Sequence, residues 1–283
     1  MTGTIVNLDF GKYFVYHQEQ IYSCHIRKSD KLMIKPVVGD HVEFDESLQM
    51  ITLIHPRQTF IKRPRVSNLT DLIIVTSLVE PQYSFFLLAK FISFGRYYNL
   101  KITIIVSKVD QAQPKTFQQD WAYLQHHGFK ILFFDKHHPD PQALSTLIGP
   151  HKVIAFAGQT GVGKSTIINT LNPLFSRQIG SYSQALGRGK HQTKEVVLLP
   201  WLGGFMADTP GFSSLELPML QHDLAKVYPG FENQFSQCKF FNCTHRQEPG
   251  CHILQEVKSG KIPLEIYQDY LKMLHQLPEQ KEY

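Results

Sequence analysis

Apolar positions along the chain change their period twice, and the two changes divide it into three regions. Over residues 1–63 apolar and polar residues alternate in short runs, "GTIVNLDFGKYFVYH", "QIYSCHIRK", "VVGDHVEFDE" and "MITLIHPR", separated by turn signals such as Gly39-Asp40. Short strands rich in β-branched and aromatic residues predict a small β-barrel, expected to be OB-like. From residue 64 the runs become continuous: "DLIIVTSLV", "KITIIVSKVD" and "FKILFFD" alternate with helical patterns in "SFFLLAKFISFGRYY" and "FQQDWAYLQHHG". Buried strands separated by helices predict a parallel sheet covered on both faces. "HKVIAFAGQTGVGKSTIINTL" extends that series, and "GGFMADTPGF" adds a strand with polar residues at its tip. The third region, from residue 215, reads as helices over "SLELPMLQHDLAKVY" and "LEIYQDYLKMLHQL". The expected fold is therefore multidomain: an OB-like barrel over 1–63, an α/β domain over 64–214 and a helical region over 215–283. That last region is too short to bury much core unaided.

Composition changes this picture little. A formal charge of +5 suits a polyanionic partner without requiring one. No apolar run reaches the roughly 18 residues of a membrane span, and the N-terminal stretch lacks a signal-peptide core, so a soluble cytoplasmic chain is expected. Nothing in the pattern marks an oligomerisation seam, and a monomer is expected. The cysteines are more telling: Cys24 stands alone, a small core residue by expectation, whereas Cys238, Cys243 and Cys251 crowd together. An odd trio in a reducing compartment points to a metal before disulfides.

Candidate chemistry begins at Gly158-Gln159-Thr160-Gly161-Val162-Gly163-Lys164-Ser165-Thr166, which follows an apolar strand and opens an amphipathic helix. Glycines in that setting let backbone N–H groups turn around phosphates, helped by the partial positive charge of a helix start. Lys164 is then expected to reach the β- and γ-phosphates and Ser165 to ligate Mg²⁺. Asp208, heading Asp208-Thr209-Pro210-Gly211, offers a carboxylate for the metal's water shell. Which base is bound depends on Ser107-Lys108-Val109-Asp110 at the end of "KITIIV". A carboxylate there accepts from N1–H and the 2-amino group of guanine, donors adenine lacks, and an unpaired buried polar group is costly. The expected ligand is GTP with Mg²⁺.

The order of these motifs is unusual. Base motif, phosphate loop and metal carboxylate follow one another, whereas ordinary GTPases place the base motif last. A circularly permuted sheet is expected, since termini of compact domains often lie close together. Downstream, Cys238, Cys243, His245 and Cys251 supply three thiolates and an imidazole, the donor set of a structural, tetrahedral Zn²⁺. His137 and His138 lack partners at ligand spacing and read as solvated loop. "FIKRPR", residues 60–65, fits either an RNA contact or a plain linker face.

This combination resembles the ribosome small-subunit-dependent GTPases, the RsgA (YjeQ) family of circularly permuted GTPases, over essentially the whole length. The resemblance rests on "GQTGVGKST", "DTPGF", "SKVD", "GRGKHQTKEV" and the Cys₃His spacing. It implies GTP hydrolysis coupled to late maturation of the small ribosomal subunit, with the barrel and the zinc region touching ribosomal RNA and protein. It also implies that Thr193 is the switch threonine reaching Mg²⁺ and the γ-phosphate, and that His191 is the family's switch histidine. Phe212 stands where classical GTPases carry a water-orienting glutamine, so slow intrinsic turnover is expected, with His191 a candidate for the missing role. Two departures stand out: Ser107 replaces the usual Asn or Thr, and "ILFFDKHHPD" lacks the family's Ser-Ala base-loop signature. The competing readings are a P-loop ATPase or kinase, and an RNA-binding protein whose nucleotide site is vestigial.

Overall fold

A computed structural model describes residues 1–9, 11–26, 35–112, 114–147, 149–172, 196–208, 212 and 215–279. Contacts divide the chain into two compact units, one of residues 1–73, 139–156 and 164–213, the other of residues 74–138, 157–163 and 214–283.

In the first unit, β1 (Thr2–Asp9), β2 (Lys12–His17), β3 (Gln20–Cys24), β4 (His41–Asp45) and β5 (Met50–Ile54) form an antiparallel sheet in the order β3-β2-β1-β4-β5. Its two edges meet. His25 pairs with Met50, its N–H donating to Gln49 O (2.8 Å) and its carbonyl accepting from Ile51 N (2.9 Å), so the sheet curls into the barrel the alternation predicts. Closure leaves few edge groups unpaired. Inside lie Ile5, Val15, Cys24, Val42, Phe44 and Ile51, all essentially without exposure. Cys24 is thus a core residue, and burial pushes its thiol up to about 11.

A short hairpin, β6 (Phe60–Ile61) with β7 (Val66–Ser67), follows the barrel. Asp40 anchors it: one carboxylate oxygen accepts from Arg57 Nε (2.7 Å) and Ser67 Oγ (2.7 Å), the other from Arg57 Nη2 and the Val37 N–H (both 2.8 Å). A fully buried charge is tolerable only when its lone pairs are filled in this way.

The central sheet has the strand order β10-β9-β8-β11-β13-β12. Its strands β8 (Asp71–Ser77), β9 (Lys101–Ser107), β10 (Lys130–Phe134), β11 (Val153–Ala157) and β13 (Gly204–Asp208) coincide with the predicted apolar runs. The sheet is not all parallel, however. β12 (Val197–Trp201) runs antiparallel to β13. The two are joined at Leu202-Gly203, both with positive φ (48° and 80°), the turn whose twist suits a two-residue hairpin. The apolar pattern places Gly203 at the start of the next strand, but that strand begins at Gly204 and Gly203 belongs to the turn.

Helices α1 (Phe85–Tyr97) and α2 (Gln118–His126) belong to the second unit, as do α5 (Gln221–Val227), α6 (His252–Lys258) and α7 (Leu264–His275). The first unit holds α3 (Pro141–Ser145) and α4 (Lys164–Leu171). The helix expected from residue 214 begins only at Gln221: Pro218 has no N–H to give, and residues 215–218 are irregular. The C-terminal region also buries more than its length led one to expect. Tyr228, Phe231 and Tyr270 are wholly buried, with ring centroids 4.7–5.2 Å apart, and α5 and α7 pack on α1. No helix among the described residues is long and apolar enough to cross a membrane.

Candidate functional site

Within the second unit the base motif and the phosphate loop are tied together. β9 ends at Ser107, which is buried, and its hydroxyl lies 2.6 Å from Val162 O and 3.1 Å from Thr76 O. One O–H therefore braces the strand end against the loop, the service expected of the Asn or Thr it replaces. Gly163 lies beside it, with a Cβ position 3.7 Å from Ser107 Oγ. The opening glycine is constrained more severely: a Cβ on Gly158, whose φ is 135°, would sit 2.1 Å from Val75 O. No other residue lets the loop leave β11 so close to β8.

Lys108 adopts the left-handed conformation (φ 57°), and its ammonium donates to Glu80 O. The Glu80-Pro81 turn also lies against Gly161, 3.8–3.9 Å from its Cβ position. A left-handed non-glycine residue is uncommon and concentrates where surrounding contacts over-determine it. Val109 is half-buried, and Asp110 has an exposed backbone but a side chain only 11% exposed. Two side chains approach it: the Lys136 ammonium, with Nζ 3.7 Å from Asp110 Oδ2, and the His137 imidazole, with Nε2 3.8 Å from the same oxygen. No local pattern announces this meeting, because it depends on long-range register. β10 runs parallel to β9 with Phe134 opposite Ser107, so the residues after one strand lie beside those after the other.

Gln159 is half-buried and Thr160 exposed. Lys164, Ser165 and Thr166 open α4, with the two hydroxyl residues exposed. Burial lowers the Lys164 ammonium from its ordinary pKa, as expected of a cation partly stripped of water. Asp208 ends β13, exposed, two residues beyond the Met206 that pairs with Ile154 of the parallel neighbour β11. Ser165 and Asp208 are hard oxygen donors, the chemistry Mg²⁺ requires. Phe212 is buried, so it offers neither charge nor hydrogen bond to a water molecule. His191, Thr193 and Thr209 to Gly211 lie outside the described residues.

The second cluster is Cys238, Cys243, His245 and Cys251, whose ligand atoms all lie within 4.8 Å of one another. His245 Nδ1 is 3.5 Å from Cys238 Sγ and 3.4 Å from Cys251 Sγ, and those two sulfurs are 3.9 Å apart. A tetrahedron with metal–sulfur bonds of about 2.3 Å and a metal–nitrogen bond of about 2.0 Å has edges of about 3.5–3.8 Å. The residues present therefore fit a metal ion. All three cysteines are free thiols. Burial pushes the imidazole of His245 down to about 4, keeping it in the neutral form that can ligate. Burial also raises the thiols of Cys243 and Cys251, and a cation at the centre would reverse that direction.

Glu248, which no sequence pattern singled out, shapes the loop between the ligands. One oxygen accepts from Thr244 N and Oγ1 (2.6 Å each), the other from Arg246 N (2.8 Å) and Gln247 N (3.0 Å). Partial burial opposes its ionisation, but these donors prevail and hold the carboxyl at about 2. From α7, Tyr267 and Tyr270 donate to the carbonyls of His245 (2.8 Å) and Thr244 (3.1 Å). His245 itself has a left-handed backbone (φ 62°), which turns its ring toward the sulfurs.

Comparison with known proteins places this arrangement. The family model described as RsgA GTPase matches residues 54–218. "Small ribosomal subunit biogenesis GTPase RsgA" of Staphylococcus haemolyticus is 36% identical over 288 residues, covering 99% of this chain and 98% of that protein. The protein of the same name from Mycoplasmopsis pulmonis is 38% identical over 284 residues, covering 98% and 100%. Among solved structures, YloQ, described as a circularly permuted GTPase, superposes with a TM-score of 0.78 at 28% identity, covering 97% of this chain and 94% of its own. YjeQ from Thermotoga maritima superposes with a TM-score of 0.82 at 25% identity, covering 99% of each chain. By its matched family model, its full-length relatives and its permuted sheet, the chain belongs to the RsgA GTPase family.

Proposed function

We propose that the protein binds GTP with Mg²⁺, hydrolyses it to GDP and phosphate, and uses the cycle as a switch on the small ribosomal subunit during its late maturation. The observation that carries this reading is the hydrogen bond from Ser107 to Val162 O, because it ties a guanine-reading motif to a phosphate loop. In this reading Asp110 accepts from the guanine N1–H and amino group, and Lys108 lies along the base. The backbone N–H groups of Gly158 to Gly163 face the phosphates, and Lys164 neutralises the β- and γ-phosphates. Mg²⁺, when bound, spreads the charge developing on the β- and γ-oxygens. Ser165, Thr193 and Asp208 would hold it, and Thr166 continues the loop at the helix start. Phe212, buried and apolar, stands where classical GTPases carry a glutamine that orients the attacking water, and cannot take that role itself. Turnover is therefore slow until the subunit orders the switch, and His191 takes the water-positioning role.

The Cys₃His cluster holds one structural Zn²⁺, with no position left open for substrate. The domains are a barrel over 1–63 and a GTPase domain over 64–214, followed by the zinc-binding region over 215–283. The barrel and the zinc-binding region face ribosomal RNA and protein, and the protein acts as a monomer in the cytoplasm.

The test is Asp110→Asn. A guanine reader loses GTP affinity and gains xanthosine triphosphate, with hydrolysis of the matching nucleotide stimulated by small subunits. An ATPase or kinase would be indifferent to the change, and absence of stimulation in the unaltered protein would leave an RNA-binding protein with a vestigial site.

A further inference from the structure

To read a guanine, a carboxylate must offer both oxygens to the base, yet the Asp110 side chain is only 11% exposed. What shields it comes from the turn after β10. Asp135 braces that turn: one oxygen accepts from the N–H groups of His137 (2.7 Å) and His138 (3.3 Å), and the other lies 3.2 Å from His138 Nδ1. With its neighbour Asp135 so engaged, the Lys136 ammonium turns instead to Asp110, at the end of the parallel strand β9.

The two covering side chains are themselves 46% (Lys136) and 63% (His137) exposed, so water reaches them far more than it reaches the carboxylate behind them. Their distances to Oδ2, 3.7 and 3.8 Å, exceed a hydrogen bond. The contact is therefore one of charge and shape, weaker than what guanine brings. A half-exposed ion pair of this kind shifts an equilibrium by about 1.5–5-fold, whereas N1–H and the 2-amino group would each make a short bond to an ionised acceptor. Exchange of the cover for the base is favourable, but the cover lowers the net affinity by its own share.

We propose that Lys136 and His137 are internal competitors for the guanine-reading carboxylate: they close the base subsite in the empty protein, leave Asp110 Oδ2 when the nucleotide enters, and so set its affinity. The proposal rests on the reading of Asp110 as the residue that meets guanine. It gives the turn over residues 135–138 a part in nucleotide exchange, because every release of the base lets the two side chains return to the oxygen it vacates. A ligand whose entry displaces part of the protein binds with its intrinsic affinity reduced by the fraction of open molecules.

The experiment measures GDP affinity, and the association rate of a fluorescent GDP analogue, for the full-length protein and for Lys136→Met, His137→Ala and the two changes together. It repeats the set with xanthosine diphosphate in an Asp110→Asn background. Lys136→Met should tighten GDP by about 1.5–5-fold with faster association, and the double variant should tighten it at least as much. In Asp110→Asn no carboxylate is left to cover, so the same changes should not tighten xanthosine diphosphate. That arm separates competition from attraction of Lys136 for the nucleotide's phosphates, which acts in both backgrounds and with the opposite sign. Unchanged or weaker GDP binding in Lys136→Met and in the double variant overturns the competition, as does equal tightening in the two backgrounds. If Asp110→Asn does not trade GDP for xanthosine diphosphate, the guanine reading fails and the competition with it. If it does trade them while the cover variants bind GDP like the unaltered protein, the guanine reading stands and the competition alone fails.

Discussion

The N-terminal barrel and the Cys₃His loop solve the same problem, stability in few residues, by opposite means. The barrel encloses six core side chains from five strands and closes its edges on each other through His25 and Met50. Its order comes from apolar area removed from water, worth about 1.5–3 kcal/mol for each large side chain. The loop from Cys238 to Cys251 has no such interior. Phe240 and Phe241 face solvent, and what converges is three thiols and an imidazole. Four donors within 4.8 Å repel when the thiols ionise, so the arrangement is favourable with a cation at its centre and strained without one. The barrel is indifferent to metal; the loop is indifferent to apolar volume.

Three measurements can break or sharpen that contrast. The largest effect is expected from Cys243→Ser, which should abolish retention of zinc through dialysis and erase amide protection over residues 238–251, leaving β1 to β5 unaffected. Equal protection in chelator-treated and metal-loaded protein would show that Glu248 and the α7 tyrosines hold the loop unaided, and the contrast would collapse. Next comes Phe44→Ala in the barrel, which should cost about 3–5 kcal/mol in the barrel's urea transition without changing zinc content. A cost below about 1 kcal/mol would mean that the core repacks around the missing ring.

The smallest effect concerns acid. Burial first, and then the neighbouring His55, lower the pKa of His41 against the pull of Asp40, while its Nδ1 lies 3.1 Å from Thr4 Oγ1. A histidine whose folded pKa lies below 6.5 is charged more readily in the unfolded chain. Its contribution is therefore complete above about pH 6.5 and lost as pH falls through the folded value. The barrel's melting temperature should fall modestly between about pH 7.5 and pH 5, and His41→Gln should flatten that slope. An unchanged slope in the variant would assign the acid sensitivity to another group.

How far these features could be read from the chain depends on whether their cause is local. The strands of the barrel, α1, the strand–loop–helix around Gly158 and the Cys₃His spacing each announce themselves within a dozen residues. The antiparallel β12, the cover of Lys136 and His137 on Asp110, and the four bonds to Glu248 do not. A strand's partner is set by sheet order, the cover by a register between β9 and β10, and the loop carboxylate by backbone N–H groups that any residues could supply. Pro218 is the exception: a local signal for a late helix start, masked by the apolar pattern around it. His137, read as solvated loop, is indeed exposed, yet it reaches the base motif.

The bond between Ser107 and Val162 O has a consequence for how the protein is made. Its partners are 55 residues apart, and in this permuted chain the seat is synthesised before the loop that sits on it. Val75 O, Thr76 O and the Ser107 hydroxyl all precede Gly158 in the chain. At about 5–20 residues per second, β8, β9 and α1 have roughly 3–11 s to associate before Val162 is added. The nascent phosphate loop thus meets a template already in place, whereas in the unpermuted order the loop would be made first and wait for its seat.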